Sequence, residues 1–255
     1  MYKAYFALPF LFAAACSTST STSSDDLAAE DYDDTAQAIS SAAVGDGNGG
    51  DLAAMSDAAS IALGVVPFGF TLGGNGEING DRLGISYRFS IHCEDASGDP
   101  LSPCDDRTDA ADVEVSWAGA LDTSHFDASV NRDGSWSLRG LQSDIVTFDG
   151  DSSFSYDATL ISIFRPNARS SFSFDASAAY DAVAIDGDTH DAIDGVATFQ
   201  IDARKVVTGT ANDVDKSFSV DARIEFHADR TATLTLDGDH VYTLDTATGV
   251  VVRAN

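Results

Sequence analysis

A chain of 255 residues, 44% hydrophobic and with 15 Phe, is long enough for one β domain or two small domains and can fill a core. Its 41 acidic and 14 basic residues give a net charge of −27; 36 of the acids are Asp, and Lys occurs only at positions 3, 205 and 216. Such a field repels phosphate backbones and excludes nucleic acid as a partner. A solvated acidic surface, whose self-repulsion salt screens, accounts for the acidity better than a cation or a cationic substrate does.

Met1-Tyr2-Lys3 carries one positive charge, and residues 4–15, AYFALPFLFAAA, are apolar. A membrane span needs about 20 apolar residues, so residues 1–15 read as a signal peptide. The run Leu11-Phe12-Ala13-Ala14-Ala15-Cys16 resembles the lipobox of the bacterial lipoprotein class, with Ala13 where the commonest form has Leu. The resemblance covers this segment alone. It implies cleavage before Cys16, a diacylglyceryl thioether on Cys16 and usually an amide-linked acyl chain. At roughly 0.8 kcal/mol per buried CH₂, several chains make a durable anchor. Ser17 in place of Asp implies export to an outer membrane. Ala13-Ala14-Ala15 also satisfies the cleavage rule of a soluble secretory signal. Cysteine parity separates the two: if Cys93 and Cys104 pair, a soluble product would carry Cys16 as an odd thiol, and lipid removes that anomaly.

Residues 16–24 are then the lipidated Cys and a disordered polar tether, STSTSTSS, with nothing to pack. Residues 25–64 form a helical segment. In 25–44, Ala28, Tyr32, Ala36, Ile39 and Ala43 recur at helical spacing, behind an Asp-rich start that suits the helix dipole. Residues 45–50, Gly-Asp-Gly-Asn-Gly-Gly, break it. A second helix over 51–63 puts Leu52, Met55, Ala59 and Ala62 on one face, with Asp51 as N-cap and Gly64 as C-cap. The glycine-rich loop lacks the Lys-Ser/Thr and the preceding strand of a phosphate-binding loop.

From Val65 to the end the period is two. Ile85, Tyr87, Phe89 and Ile91 alternate with polar residues, as do Val113, Val115 and Trp117. Residues 65–255 therefore form an antiparallel all-β domain, a meander making a sandwich or barrel-like sheet. Strands fall near 66–72, 84–93, 112–119, 126–131, 135–140, 144–149, 153–164, 171–184, 196–208, 217–228, 231–236, 240–245 and 249–253. Asn-Gly and Asp-Gly pairs at 75–76, 79–80, 133–134, 149–150, 186–187 and 237–238 mark turns between them.

A phrase recurs in the second half: Phe-x-apolar-Asp-Ala at Phe154, Phe172, Phe199 and Phe218. On a strand, Phe, the apolar residue and Ala share one face, while Asp157, Asp175, Asp202 and Asp221 face the other way. A ladder of stacked Asp could bind cations, but like charges in adjacent strands are destabilising. Pairing with Arg204 and Arg223, which share the polar face with Asp202 and Asp221, is the better reading. Cys93 and Cys104 flank a turn-rich insert, and neither CxxC nor nearby His–Cys spacing is present, so the pair reads as a structural disulfide.

The chain carries no GxSxG, SxxK, HExxH or CxxC, so no catalytic residue is assigned and no cofactor is expected. One acidic loop stands out: Asp186, Asp188, Asp191 and Asp194 around His190 could collect on Ca²⁺, although the spacing fails the EF-hand template and an ordinary acidic hairpin loop is preferred. The expectation is a non-enzymatic envelope lipoprotein, held to the membrane by its lipid, whose β domain meets a protein, glycan or lipid partner. The alternatives are an incomplete β-barrel carrying an amphiphile and, least favoured, an Asp-based or metal-assisted hydrolase.

Overall fold

The computed structural model describes residues 29–44, 50–73, 77–82, 85–122, 126–161, 168–187, 189, 191–209 and 213–254. Residues 1–28, on which the expected signal peptide, Cys16, the expected tether and Ala28 fall, lie outside the described residues, as do Asp188 and His190. Among the described residues, helices α1 (Ala29–Ala43) and α2 (Asp51–Ala62) precede thirteen strands. These are β1 (Phe70–Leu72), β2 (Glu77–Arg82), β3 (Ile85–Asp95), β4 (Pro100–Leu101), β5 (Thr108–Asp122), β6 (Phe126–Arg139), β7 (Ile145–Ile161), β8 (Arg169–Asp186), β9 (Ala192–Thr208), β10 (Val214–His227), β11 (Thr231–Leu236), β12 (His240–Asp245) and β13 (Val251–Arg253). All lie in one antiparallel meander, each beside its sequence neighbour, save that β4 pairs only with β3 and leaves β5 as the next strand along. The sheet does not close into a barrel. Among the described residues no helix is long and apolar enough to cross a membrane, which leaves strand-based crossing untouched.

The helices lie on one face of the sheet and bury the stripe read from the sequence. Tyr32, Ala36, Ile39 and Ala43 of α1, and Leu52, Met55, Ile61 and Ala62 of α2, join the inner side chains of the strands in one core. α1 sits over β11–β13, where the Tyr32 hydroxyl donates to Asp237 at 2.8 Å and its ring stacks on His240 at 3.7 Å. Ser40 Oγ donates to the Gly249 carbonyl at 2.8 Å. α2 sits over β3 and β5. It ends in a Schellman turn: the Gly64 N–H reaches Ile61 O, the Val65 N–H reaches Ser60 O, and Gly64 takes φ +81° with Leu63 at the C-cap.

Register explains the recurring Phe phrase. Phe154 lies opposite Ala176, Phe172 opposite Ala158, and Phe218 opposite Ala203. Phe199 sits between Ala178 and Ala222. Each large ring meets a small neighbour, so the helix-bearing face interdigitates without crowding. The four Asp residues point to the opposite, exposed face.

Three Gly-containing turn signals are overturned. Asp133-Gly134 lies inside β6, which runs unbroken through the two strands expected at 126–131 and 135–140. A Cβ on Gly134 would come within 2.8 Å of the Trp136 ring, so this position makes room for an indole rather than a turn. Asp149-Gly150 is a bulge inside β7, which likewise joins two expected strands. Asn79-Gly80 lies in β2, a strand not anticipated, with the Phe70 ring laid over Gly80.

Candidate functional site

The most buried ionic groups meet where both helices reach the central strands. Asp51 is not the N-cap of α2; Gly50 is, and Asp51 is the first helical residue, turned into the core. Arg132 on β6 meets it, the two side chains 1% and 0% exposed. Arg132 Nη2 donates to Asp51 Oδ2 while Nη1 donates to the Ala42 carbonyl at 2.8 Å. Ser152 Oγ on β7 donates to the same carboxylate oxygen at 2.9 Å, and the Tyr180 hydroxyl on β8 donates to it as well. The guanidinium is packed between aromatic rings, 5.7 Å from the Trp117 centroid and 5.3 Å from Phe154.

This arrangement holds structure together. The Arg132 guanidinium ties the last turn of α1 to the first residue of α2, and the Asp51 carboxylate gathers β6, β7 and β8 through Arg132, Ser152 and Tyr180. Burial, with the Asp51 carboxylate alongside, pushes the Tyr180 hydroxyl well above its ordinary value and keeps it protonated. Being sealed from solvent, the cluster is a clamp and not a place for substrate to enter.

Beyond the clamp the helix-bearing face changes character. α1, at 15 residues, is about 22 Å long, whereas β8, at 18 residues, reaches roughly 60 Å. The long strands therefore outrun the helices, and the inner side chains of β7–β10 there are only partly covered. Ala158, Phe172, Lys205 and Lys216 form one cross-strand row, and Leu160, Ser170, Val207 and Val214 the next. Phe172 and Phe218 are half-buried, while Leu160 and Val214 are 49% and 41% exposed. Lys216 pairs with Asp31 at the start of α1 at 2.5 Å. Lys205, directly opposite Lys216, has no ion-pair partner among the described residues.

The outer face is polar and open. Its central depression, about 440 Å³, is shallow and lined by Asn131, Asp133, Ser153, Asp175, Ser177 and Asp202. Of the four repeat Asp residues only Asp175 and Asp202 stand opposite each other. Asp202 accepts a hydrogen bond from Ser219 Oγ at 2.5 Å. The expected arginine partners are different: Arg204 binds Asp215 at 2.8 Å and Arg223 binds Glu225 at 2.9 Å. The Arg204 guanidinium holds the Asp215 carboxyl below its usual range.

Cys93 and Cys104 are bonded, their Cα atoms 5.6 Å apart, and the loop they close lies against the end of α2 at Gly64. In the acidic loop, the described carboxylates are engaged separately. Asp186 accepts from the Thr189 amide and hydroxyl, Asp191 pairs with Arg230 at 2.7 Å, and Asp194 caps the Gly195 amide. Among the described residues no three His, Cys, Asp or Glu side chains are grouped to hold a metal ion.

Arg132 escaped the sequence because the Asp133-Gly134 pair read as a turn, which placed it outside a strand. Its signal is parity: Val130, Arg132, Gly134, Trp136 and Leu138 share one face of a continuous strand. Lys205 and Lys216 were legible the same way, each in step with the Phe of its repeat. Comparison with known family models, with curated proteins and with solved structures finds no match to this chain.

Proposed function

We propose that this chain is a non-catalytic lipoprotein of a bacterial envelope, anchored through Cys16, whose β domain acts by binding. The observation that carries the binding role is the uncovered strip of the helix-bearing face, where Phe172, Phe218, Leu160 and Val214 are left partly open beyond the helices. Apolar side chains cost free energy in water, at roughly 25 cal/mol per Å² of exposed area. A contiguous strip of them on a sheet face supports a contact surface. The anchor is supported by the resemblance of residues 11–16 to a lipobox and by cysteine parity, since Cys93 and Cys104 satisfy each other.

A second reading, a carrier of amphiphiles, draws on the same strip, because the sheet is open rather than closed. Cell fractionation tests the anchor. The native chain is expected in the membrane fraction and labelled by radioactive palmitate, whereas Cys16→Ser is expected to lose the label and to be unprocessed or soluble. A Cys16→Ser chain that stays membrane-bound and normally processed overturns the anchor.

A further inference from the structure

The lysines of this chain are placed against its charge. Only three occur among 255 residues, and two of them, Lys205 and Lys216, stand opposite each other on β9 and β10. Both point to the helix-bearing face, in step with Ile201 and Ala203 on one strand and Phe218 and Val220 on the other. Two cations directly opposite in a sheet repel. Asp31 neutralises Lys216 at 2.5 Å, and Lys205 is left with no acidic partner among the described residues.

Apart from the Lys216–Asp31 pair opposite it and Ser170 one row outward, the neighbours of Lys205 on this face are apolar. Phe172 is its neighbour on β8, Phe218 lies one row inward, and Val207, Val214 and Leu160 lie one row outward. A half-buried lysine with no ion-pair partner among the described residues, set at the margin of half-exposed rings and aliphatic side chains, matches a molecule with one negative head and one hydrocarbon tail. The neutralised Lys216 beside it contributes its apolar stem.

We propose that the strip formed by Phe172, Lys205, Phe218, Leu160 and Val214 is a binding site for a single-chain anionic amphiphile. A carboxylate head pairs with the Lys205 ammonium, and the acyl chain lies along the aromatic and aliphatic side chains of β7–β10. The tail supplies most of the affinity by burying apolar surface, and the Lys205 contact selects for the charged head. This inference deepens the binding role proposed above and is independent of the anchor.

The test uses the full chain carrying Cys16→Ser, so that lipid at residue 16 plays no part, with the fluorescent fatty acid cis-parinarate as probe and its methyl ester as the uncharged counterpart. Saturable binding at one molecule per chain is expected, with the ester about tenfold weaker, the effect of losing roughly 1.4 kcal/mol. Lys205→Gln is expected to bring the acid down to the affinity of the ester, Lys205→Arg to restore most of it, and Leu160→Gln to weaken both probes. Arg223→Gln, on the outer face, is expected to change neither. Equal affinity for acid and ester in the unmutated strip, which needs no variant to fold, overturns the role of Lys205. Absence of saturable binding, or uptake only by anionic phospholipid vesicles with none by the monomeric acid, overturns the site. Failure of either kind leaves the fractionation of the Cys16 variant to judge the anchor by itself.

Discussion

Asp51, the first residue of α2, and Arg132, in the middle of β6, form an ion pair with almost no solvent exposure, and the same guanidinium holds the last turn of α1 through the Ala42 carbonyl. Two helices separated in sequence by a glycine-rich stretch are thereby joined at one point of the sheet. The pairing has a cost, since desolvating two charges offsets most of their attraction. Its consequence is orientation: a docking that separates Asp51 from Arg132 leaves a buried charge alone, which favours this register.

Removing one partner should therefore be more damaging than removing both. Arg132→Ala or Asp51→Ala is expected to lower the unfolding free energy by about 3–5 kcal/mol. The paired replacement Asp51→Leu with Arg132→Met is expected to lose much less. Urea denaturation of the parent and the three variants measures this, and single variants within 1 kcal/mol or so of the parent would deny the clamp.

Alkaline pH should act through Tyr180. Its hydroxyl titrates well above the ordinary tyrosine value in the folded chain, chiefly from burial and then from Asp51. In the unfolded chain it titrates near 10. The folded state therefore holds the proton more tightly: stability is fully present below about pH 10 and falls as pH rises beyond it. Tyr180→Phe is expected to cost roughly 1 kcal/mol at neutral pH through the lost hydrogen bond, yet to flatten the decline above pH 10. Stability against pH for both proteins decides; parallel curves would contradict the assignment.

The Cys93–Cys104 bond closes a short loop of sequence separation 11 that packs on the end of α2. Replacing both by Ser is expected to cost about 3 kcal/mol, mostly by freeing the unfolded chain. Thermal melting with and without reductant checks it. A parent protein insensitive to reduction after denaturant exposure would count against it.

Gly150 is required by the β7 bulge. It takes φ +144°, and a Cβ there would lie 2.2 Å from the Ser135 carbonyl oxygen. Gly150→Ala is expected to destabilise by roughly 1–3 kcal/mol or more. Gly98→Ala, at φ +81° but with open space around it, should cost less. Equal losses would show that conformation alone sets the requirement.

Salt should stabilise the domain. With a net charge of −27 the folded chain repels itself, and raising ionic strength from 0.01 to 0.15 M shortens the screening length from about 30 to about 8 Å. Melting temperature is expected to rise across that range, and a fall would contradict the reading of the acidity as a solvated surface.

Much of the fold was legible because period-two alternation and a separate helical stripe are local signals. Tyr32, Ile39 and Met55 fell on the buried side as their spacing required, and the strands after Ala192 matched closely. What misled was glycine. An Asp-Gly pair reads as a turn when nothing is known of its neighbours, yet Gly134 leaves room for the ring of Trp136 on its own strand, and Gly150 admits the Ser135 backbone of the strand beside it. The second is tertiary information, absent from any short window. The same error hid Arg132, and with it the reason Asp51 lies in the core rather than capping a helix. The Lys205–Lys216 row was readable by parity within each strand. Its pairing was not, because register between strands is set by the whole sheet.

The anchored binding domain is tested most directly by intact-mass spectrometry of the chain recovered from the membrane fraction. A mature protein beginning at Cys16 and heavier than its sequence by the mass of attached acyl chains is expected. A chain beginning at an unmodified Cys16, or still carrying residues 1–15, would contradict it.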